Sequence, residues 1–169
     1  MTYDEIIKNR YSVRSFNDKK VDNNLIKQIL EAGRIAPSAG NKQPTIVYIL
    51  NENNINNLDL ATKYNFSKLN TFLICYDKDL SYKRGYDSLD FGCQDASIVI
   101  THMMLKITDL GLGSCWVGSF DTFKLKEILN LPDNIIPVAL LPFGYLKESS
   151  VPSIWHEDRK EITEFFIEL

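Results

Sequence analysis

Histidine is almost absent from this chain and cysteine is scarce. There are two His and three Cys in 169 residues; Cys75, Cys93 and Cys115 lie far apart and form no C-x-x-C pair. That argues against a disulfide framework and leaves no ligand spacing for zinc. Basic charge is not in excess either. Lys and Arg number 19 against 22 Asp and Glu, a formal net charge of −3. A nucleic-acid-binding domain usually presents a basic face, so no nucleic-acid partner is expected. A long apolar run is also missing. The most apolar stretch, ASIVITHMML (96–105), is interrupted by Thr101 and His102 and is too short to span a bilayer. The start, MTYDEIIKNR, has neither a basic n-region nor an apolar h-region. No secretory leader and no membrane partner are expected, and a cytoplasmic location is.

What is present suits one domain over residues 1–169, long enough to bury about 70% of its unfolded surface. TYDEIIKNR predicts a short first helix. VDNNLIKQILEAGRIAPS predicts a second, with Leu25, Ile26, Ile29 and Leu30 on one face, Asp22 or Asn23 at its cap and Pro37 at its end. TIVYIL (45–50) and TFLICY (71–76) predict buried strands, and the polar stretch between them a short helix. Residues 87–111 predict one long helix, apolar around most of its circumference and therefore buried on several sides. Gly111 and Gly113 stop it. SCWVGSF (114–120) follows as a strand or extended loop, Asp121 caps a short helix, and PVALLPFGY (137–145) predicts a further strand. The chain ends in EITEFFIEL, apolar enough to be docked rather than frayed. This order gives an α+β or α/β domain with a small sheet.

Few motifs carry chemistry. GLGSCWVGS (111–119) lacks the Gly-Lys-Ser/Thr of a phosphate loop and the third Gly of a dinucleotide fingerprint. It is either a helix stop leading into a strand, or a place at Val117 and Gly118 where backbone can approach a flat ligand closely. His102 fits a core position, and Cys115 beside Trp116 has no neighbour that would activate a thiolate. Asp87, Asp90 and Asp95 suit the solvated start of the long helix, where negative charge is favoured. In APSAGNKQP (36–44), Pro37, Gly40 and Pro44 fix a turn, and Ser38, Asn41 and Gln43 present polar side chains; a plain loop or a binding loop would both look so. Finally, RYSVR sets Arg10 and Arg14 four apart. A helix puts both on one face, and an extended strand puts Arg10, Ser12 and Arg14 on one face. Either geometry lets the arginines converge on an anion.

Taken in order, IIKNRYSVRSF, ILEAGRIAPSAGNKQP, a long helix ending in LGLGSCWVGSFD, LKEILNLPDNIIPVALLPFGY and the closing RKEITEFF resemble the nitroreductase family of FMN flavoproteins over nearly the whole chain. The resemblance implies an α+β fold with a small mixed β-sheet flanked by helices, a long buried central helix, and a C-terminal strand exchanged in a homodimer. It implies that Arg10 and Ser12 hold the FMN phosphate and ribityl chain, with Tyr11 nearby. Arg14 would lie near the flavin N1/O2 edge, and the backbone of Val117 and Gly118 would face N5 and O4. Pro37, Ser38, Asn41 and Gln43 would reach the flavin across the subunit interface, and Arg159 would close on the phosphate. NADH or NADPH is the implied electron donor, with a nitroaromatic, quinone or related small acceptor reduced in alternating steps; the chemistry is the flavin's, so no catalytic side chain is named. A flavin-binding or redox-sensing protein without efficient turnover is the alternative. Thr45 stands where the family often has Trp, and Glu157 where a basic residue is common. Lys63, Asn65 and Lys68 are the nearest candidates for the pyrimidine edge.

Overall fold

In the computed structural model, which describes residues 1–169, local signals set most of the element boundaries. Thr2 and Glu5 form a reciprocal capping box that starts helix α1 (Tyr3–Asn9). Asp22 accepts the Asn24 N–H at 2.7 Å and starts α2 (Asn23–Arg34). Strand β1 (Thr45–Ile49), helix α3 (Glu52–Asn57) and strand β2 (Thr71–Asp77) follow. The long helix α4 (Gly92–Asp109) leads through Leu110 and Gly111 into the two-residue strand β3 (Gly113–Ser114). Asp121 caps α5 (Thr122–Leu129), and β4 (Ile135–Gly144) is the longest strand. A single turn, α6 (Ile162–Phe165), lies near the C-terminus.

The sheet runs β1-β2-β4-β3 with every ladder antiparallel. Its parallel component is one bridge, Ser12 to Ser114, where the segment after α1 joins the edge. Strand alternation divides two cores. Phe72, Ile74, Ala139, Leu141 and Phe143 meet Ile29 of α2 and Ala96, Ile100, Met103 and Ile107 of α4. Leu73, Cys75, Ile135 and Leu140 face the other way, toward Ile55, Leu58 and Leu125. The Phe72 and Phe143 rings stack at 4.4 Å. Gly33 lets α2 lie close against α4: a Cβ there would sit 2.9 Å from Met103 Cγ. The fold is thus α+β, with helices on both faces of an antiparallel sheet.

Two boundaries and two burial expectations differ from the sequence reading. The long helix starts at Gly92, not residue 87, because Arg84 and Asp87 close an ion-paired turn and Ser88 takes a left-handed φ of 59°. It is also buried along one stripe rather than all round: Gln94, Ile98 and Thr101 are exposed. The last strand begins two residues early, at Ile135. The C-terminal residues find no docking surface within their own chain: Phe165 is 81% and Ile167 84% exposed. No helix is long and apolar enough to cross a membrane.

Candidate functional site

The RYSVR segment is extended, which settles the choice between the two geometries. Val13 donates its N–H to the Ser114 carbonyl at 2.9 Å, and its side chain is buried. Gly113 makes room for it: a Cβ at 113 would stand 2.5 Å from Val13 Cγ2. With Val13 turned inward, period-two alternation turns Ser12 and Arg14 the other way. Ser12 is half-buried and Arg14 exposed, with Arg14 Nη1 donating to the Ser12 carbonyl at 3.3 Å. Behind them lies Cys115. Burial pushes its thiol up, against the charges of Arg14 and Arg10 and a hydrogen bond from Ser12.

Arg10, Tyr11 and Arg159 line a single cleft of about 790 Å³, together with Lys8, His156, Asp4 and Glu157. Two contacts hold the tail over it. The Tyr11 hydroxyl lies 3.1 Å from the Ser150 carbonyl, to which it donates, and His156 Nε2 lies 3.0 Å from the Lys8 carbonyl. Arg159 donates to the Trp155 carbonyl at 2.8 Å. The chain has five arginines. Arg34 and Arg84 are forked onto Glu31 and Asp87, whereas Arg10, Arg14 and Arg159 form no ion pair. The three without a carboxylate are Arg10 and Arg14 of the RYSVR segment and Arg159, which the family resemblance adds to them.

Beyond β3 the backbone stays extended. The N–H groups of Cys115 and Val117 donate to Pro142 and Leu140, and Val117 also accepts from Leu140, all at 2.9–3.1 Å. Val117 is thus fully engaged with β4. Alternation turns the N–H of Gly118 to the opposite edge, where it has no partner and the residue is exposed. A flat ligand could take that donor.

The loop after α2 lies elsewhere. Ser38 and Gln43 line a different cavity of about 540 Å³, with Leu30, Arg34, Thr45 and Val47, and no residue lines both cavities. Pro37 and Asn41 are exposed on the same loop. Gly40, Asn41 and Gln43 all adopt left-handed φ, 56°, 52° and 50°. For the two non-glycines that costs about 1–3 kcal/mol each, and such strain persists only where the surroundings over-determine it. The Ser38 hydroxyl accepts the Gln43 N–H at 3.0 Å, Gln43 Nε2 donates to Asn41 Oδ1 at 3.1 Å, and Asp95 Oδ1 accepts the Ala39 N–H at 2.8 Å. A single chain therefore does not bring Pro37, Ser38, Asn41 and Gln43 to the arginine cleft.

Asp95 corrects the expectation of a solvated helix start: it is 2% exposed. The signal lies in the four-residue spacing, since Asp95 shares its stripe with Val99, Met103 and Ile107, all buried. Asp87 is exposed, and Asp90 Oδ1 accepts the Gly92 N–H at 2.8 Å. Of the mid-chain candidates, Lys68 is paired with Asp59 at 2.8 Å and Asn65 donates to the Ile55 carbonyl at 2.7 Å, leaving Lys63 as the unpaired one.

An antiparallel sheet sandwiched by helices, with an arginine strand at one edge and a strained polar loop on the far side, defines a class. A sequence profile of the Nitroreductase family matches residues 7–72 and 65–145. The fold superimposes on a crystal structure of a nitroreductase family protein from Clostridium difficile 630 with a TM-score of 0.91, at 36% identity over 99% of this chain and 98% of that one. A curated protein of Archaeoglobus fulgidus, provisionally named an NADH dehydrogenase/NAD(P)H nitroreductase, is 29% identical over 153 residues, 85% of each chain. A structure from Desulfovibrio desulfuricans, in complex with FMN, shares the fold with a TM-score of 0.82 at 24% identity, covering all of this chain and 97% of that one. The chain belongs to the nitroreductase family.

Proposed function

We propose that this protein is an FMN-dependent oxidoreductase that takes hydride from NADH or NADPH and reduces a nitroaromatic, quinone or related small acceptor in two alternating half-reactions. The observation that carries the proposal is the set of three unpaired arginines, two of them in one cleft, with a free backbone donor at Gly118 on the segment that follows β3. An anionic, planar, edge-polar cofactor satisfies all of these at once. Bound FMN would supply the hydride chemistry itself. The chain's residues bind and tune it. Arg10 offers a planar fork and Ser12 a hydroxyl to the phosphate, Arg159 closes on it from the tail, and Tyr11 fixes that tail through Ser150. Arg14 would place a cation beside the N1/O2 edge, where positive charge favours the reduced cofactor. The Gly118 N–H would face the N5/O4 edge with Val117 beside it, whose own N–H is already bonded to Leu140.

The remaining residues imply a second subunit. Pro37, Ser38, Asn41 and Gln43 reach a flavin only if it belongs to a partner copy, so the working unit is a homodimer with the flavin at the subunit boundary. The undocked apolar tail is consistent with a strand exchanged between copies.

The test is spectroscopic. The purified protein should be yellow or become so with FMN, and NADH or NADPH added without oxygen should bleach it within seconds. Bound flavin that neither nucleotide bleaches makes the protein a flavin binder or sensor instead. A chain that stays colourless after FMN loading defeats the proposal.

A further inference from the structure

The structure assigns to Asp95 the role of a positioning residue for the loop that carries Ser38, Asn41 and Gln43. That assignment rests on the flavin reading of the site for its functional consequence, but not for its geometry. Asp95 is a carboxylate on α4, 2% exposed, in a stripe of apolar side chains. Such a group is expensive to bury unless it is hydrogen-bonded. One oxygen accepts the Ala39 N–H at 2.8 Å; the other, Oδ2, is buried with no partner. A residue chosen for core stability alone would be Leu or Val at this position. The single bond it makes is to the backbone at the head of the strained run Gly40–Asn41–Gln43.

The loop's internal bonds cannot fix its place on the molecule. Asn41 and Lys42 donate back to Ser38 and Ala39, and Gln43 donates to the Ser38 hydroxyl. These bonds shape a compact turn. At its far end the loop joins β1 through buried Pro44. At its near end, the bond from Ala39 to Asp95 is the polar tie to the rigid helix. Asp95 thus converts α4, the best-buried helix of the fold, into a fixed post. The polar side chains of the loop are then presented at one height above α4, as a precise contact across a subunit boundary requires. The α4 N-terminus, one turn away, favours the carboxylate's charge.

Two substitutions remove the bond from opposite sides. Asp95→Leu removes the acceptor. Ala39→Pro removes the donor, and its ring Cδ, standing where the N–H pointed, also displaces the buried Asp95 carboxylate 2.8 Å from that nitrogen. The chain path itself admits proline, since Ser38 is extended (φ −138°, ψ 154°), as a residue before proline prefers, and Ala39 opens a 3-10 turn, so the change acts at the Asp95 contact. Asp95→Asn keeps an acceptor oxygen for Ala39. Each of the first two should weaken FMN binding about tenfold, the worth of one hydrogen bond to a charged group. The double variant should be no worse than either alone, because both delete the same bond. Asp95→Asn should stay within about threefold of the parent, a rescue that a loss of core packing would not give. Additive effects of Asp95→Leu and Ala39→Pro, or unchanged FMN affinity in both while Arg10→Ala is impaired, overturn the assignment. If Arg10→Ala also leaves FMN affinity unchanged, the flavin reading has failed, and amide exchange in the flavin-free chain decides. Faster exchange at Asn41, Lys42 and Gln43 in Asp95→Leu but not in Asp95→Asn upholds the positioning role, and equal exchange ends it.

Discussion

An arginine's environment distinguishes structural from binding roles more sharply than its sequence neighbours do. Arg34 and Arg84 sit three residues from an acid on their own segment and are neutralised by it. Arg10 and Arg159 line a cleft with Asp4 and Glu157 yet pair with neither. Arg10→Ala should weaken FMN binding tenfold to a hundredfold, at about 1.5–3 kcal/mol for a charged hydrogen bond. Riboflavin, which lacks the phosphate, should bind parent and variant alike. An equal loss for both flavins would remove Arg10 from the phosphate. Gly113 tests the same strand from behind. Gly113→Ala must displace stiff, buried Val13 and with it Ser12 and Arg14. It should cost about 1–3 kcal/mol by overpacking and weaken FMN binding too; a denaturation midpoint equal to the parent's contradicts the packing described. The thiols are set by burial. Burial pushes Cys75 up to about 12, partly offset by the Lys126 charge, and raises Cys115 as well. Only exposed Cys93 should react promptly with a thiol reagent at neutral pH. A folded pKa above the unfolded value gives stability that is whole below about pH 9 and lost as pH rises toward 12. Denaturant midpoints across that window should therefore fall, and Cys75→Ala should flatten the fall even if it lowers stability overall.

At the scale of elements, the tail is the least settled piece. Residues 150–159 are held to the body by the Tyr11 and His156 contacts, while Ile162, Phe165, Phe166, Ile167 and Leu169 beyond them are all exposed. Burying a side chain of this kind is worth about 1.5–3 kcal/mol. Deleting residues 161–169 should lower the thermal midpoint by well over the 2–4 °C that about 1 kcal/mol moves a domain of this size, and should reduce FMN retention with it. A truncated protein as stable and as yellow as the parent would make the tail idle. The same element shows where sequence reading stops. α2, β1, β2 and α5 were legible because their signals are local: an Asp cap, a 3.6-residue stripe, a run of β-branched residues. The start of α4 was not, because the Arg84–Asp87 turn competes with the helix through an ion pair and a left-handed Ser88. Charge alone puts Asp95 in solvent, whereas its place on the Val99–Met103–Ile107 stripe buries it. RYSVR could be narrowed to two geometries, and only the docking of Val13 onto Gly113 selects one. That the 37–43 loop and the arginine strand lie in different cavities depends on how α2 and the sheet pack, which no local pattern encodes.

For the whole molecule, that separation is the strongest argument about assembly. If one flavin is to touch Arg10 and Gln43, two chains must contribute, and a two-fold arrangement then builds two equivalent sites from one repeated contact. The exposed Gln94–Ile98–Thr101 face of α4 and the undocked tail are further surface that a single chain leaves to solvent. An interface that completes a cofactor site and absorbs such a tail belongs to the obligate class, above about 2,000 Å² in total. Sedimentation at micromolar concentration should therefore show one species at twice the chain mass of 19.4 kDa, carrying flavin, with no monomer on dilution to nanomolar concentration. Mixing two variants impaired in flavin binding, at an FMN concentration too low to fill either, gives a sharper form of the same test. Arg10→Ala weakens the site through the arginine strand, and Asn41→Ala together with Gln43→Ala weakens it through the loop. If each site draws these parts from different chains, unfolding and refolding the two variants together should give heterodimers with one intact site in two, and about a quarter of the parent's flavin capacity for a random mixture. No recovery, together with a species near 19.4 kDa that still holds FMN, would show that one chain suffices and that the loop acts elsewhere.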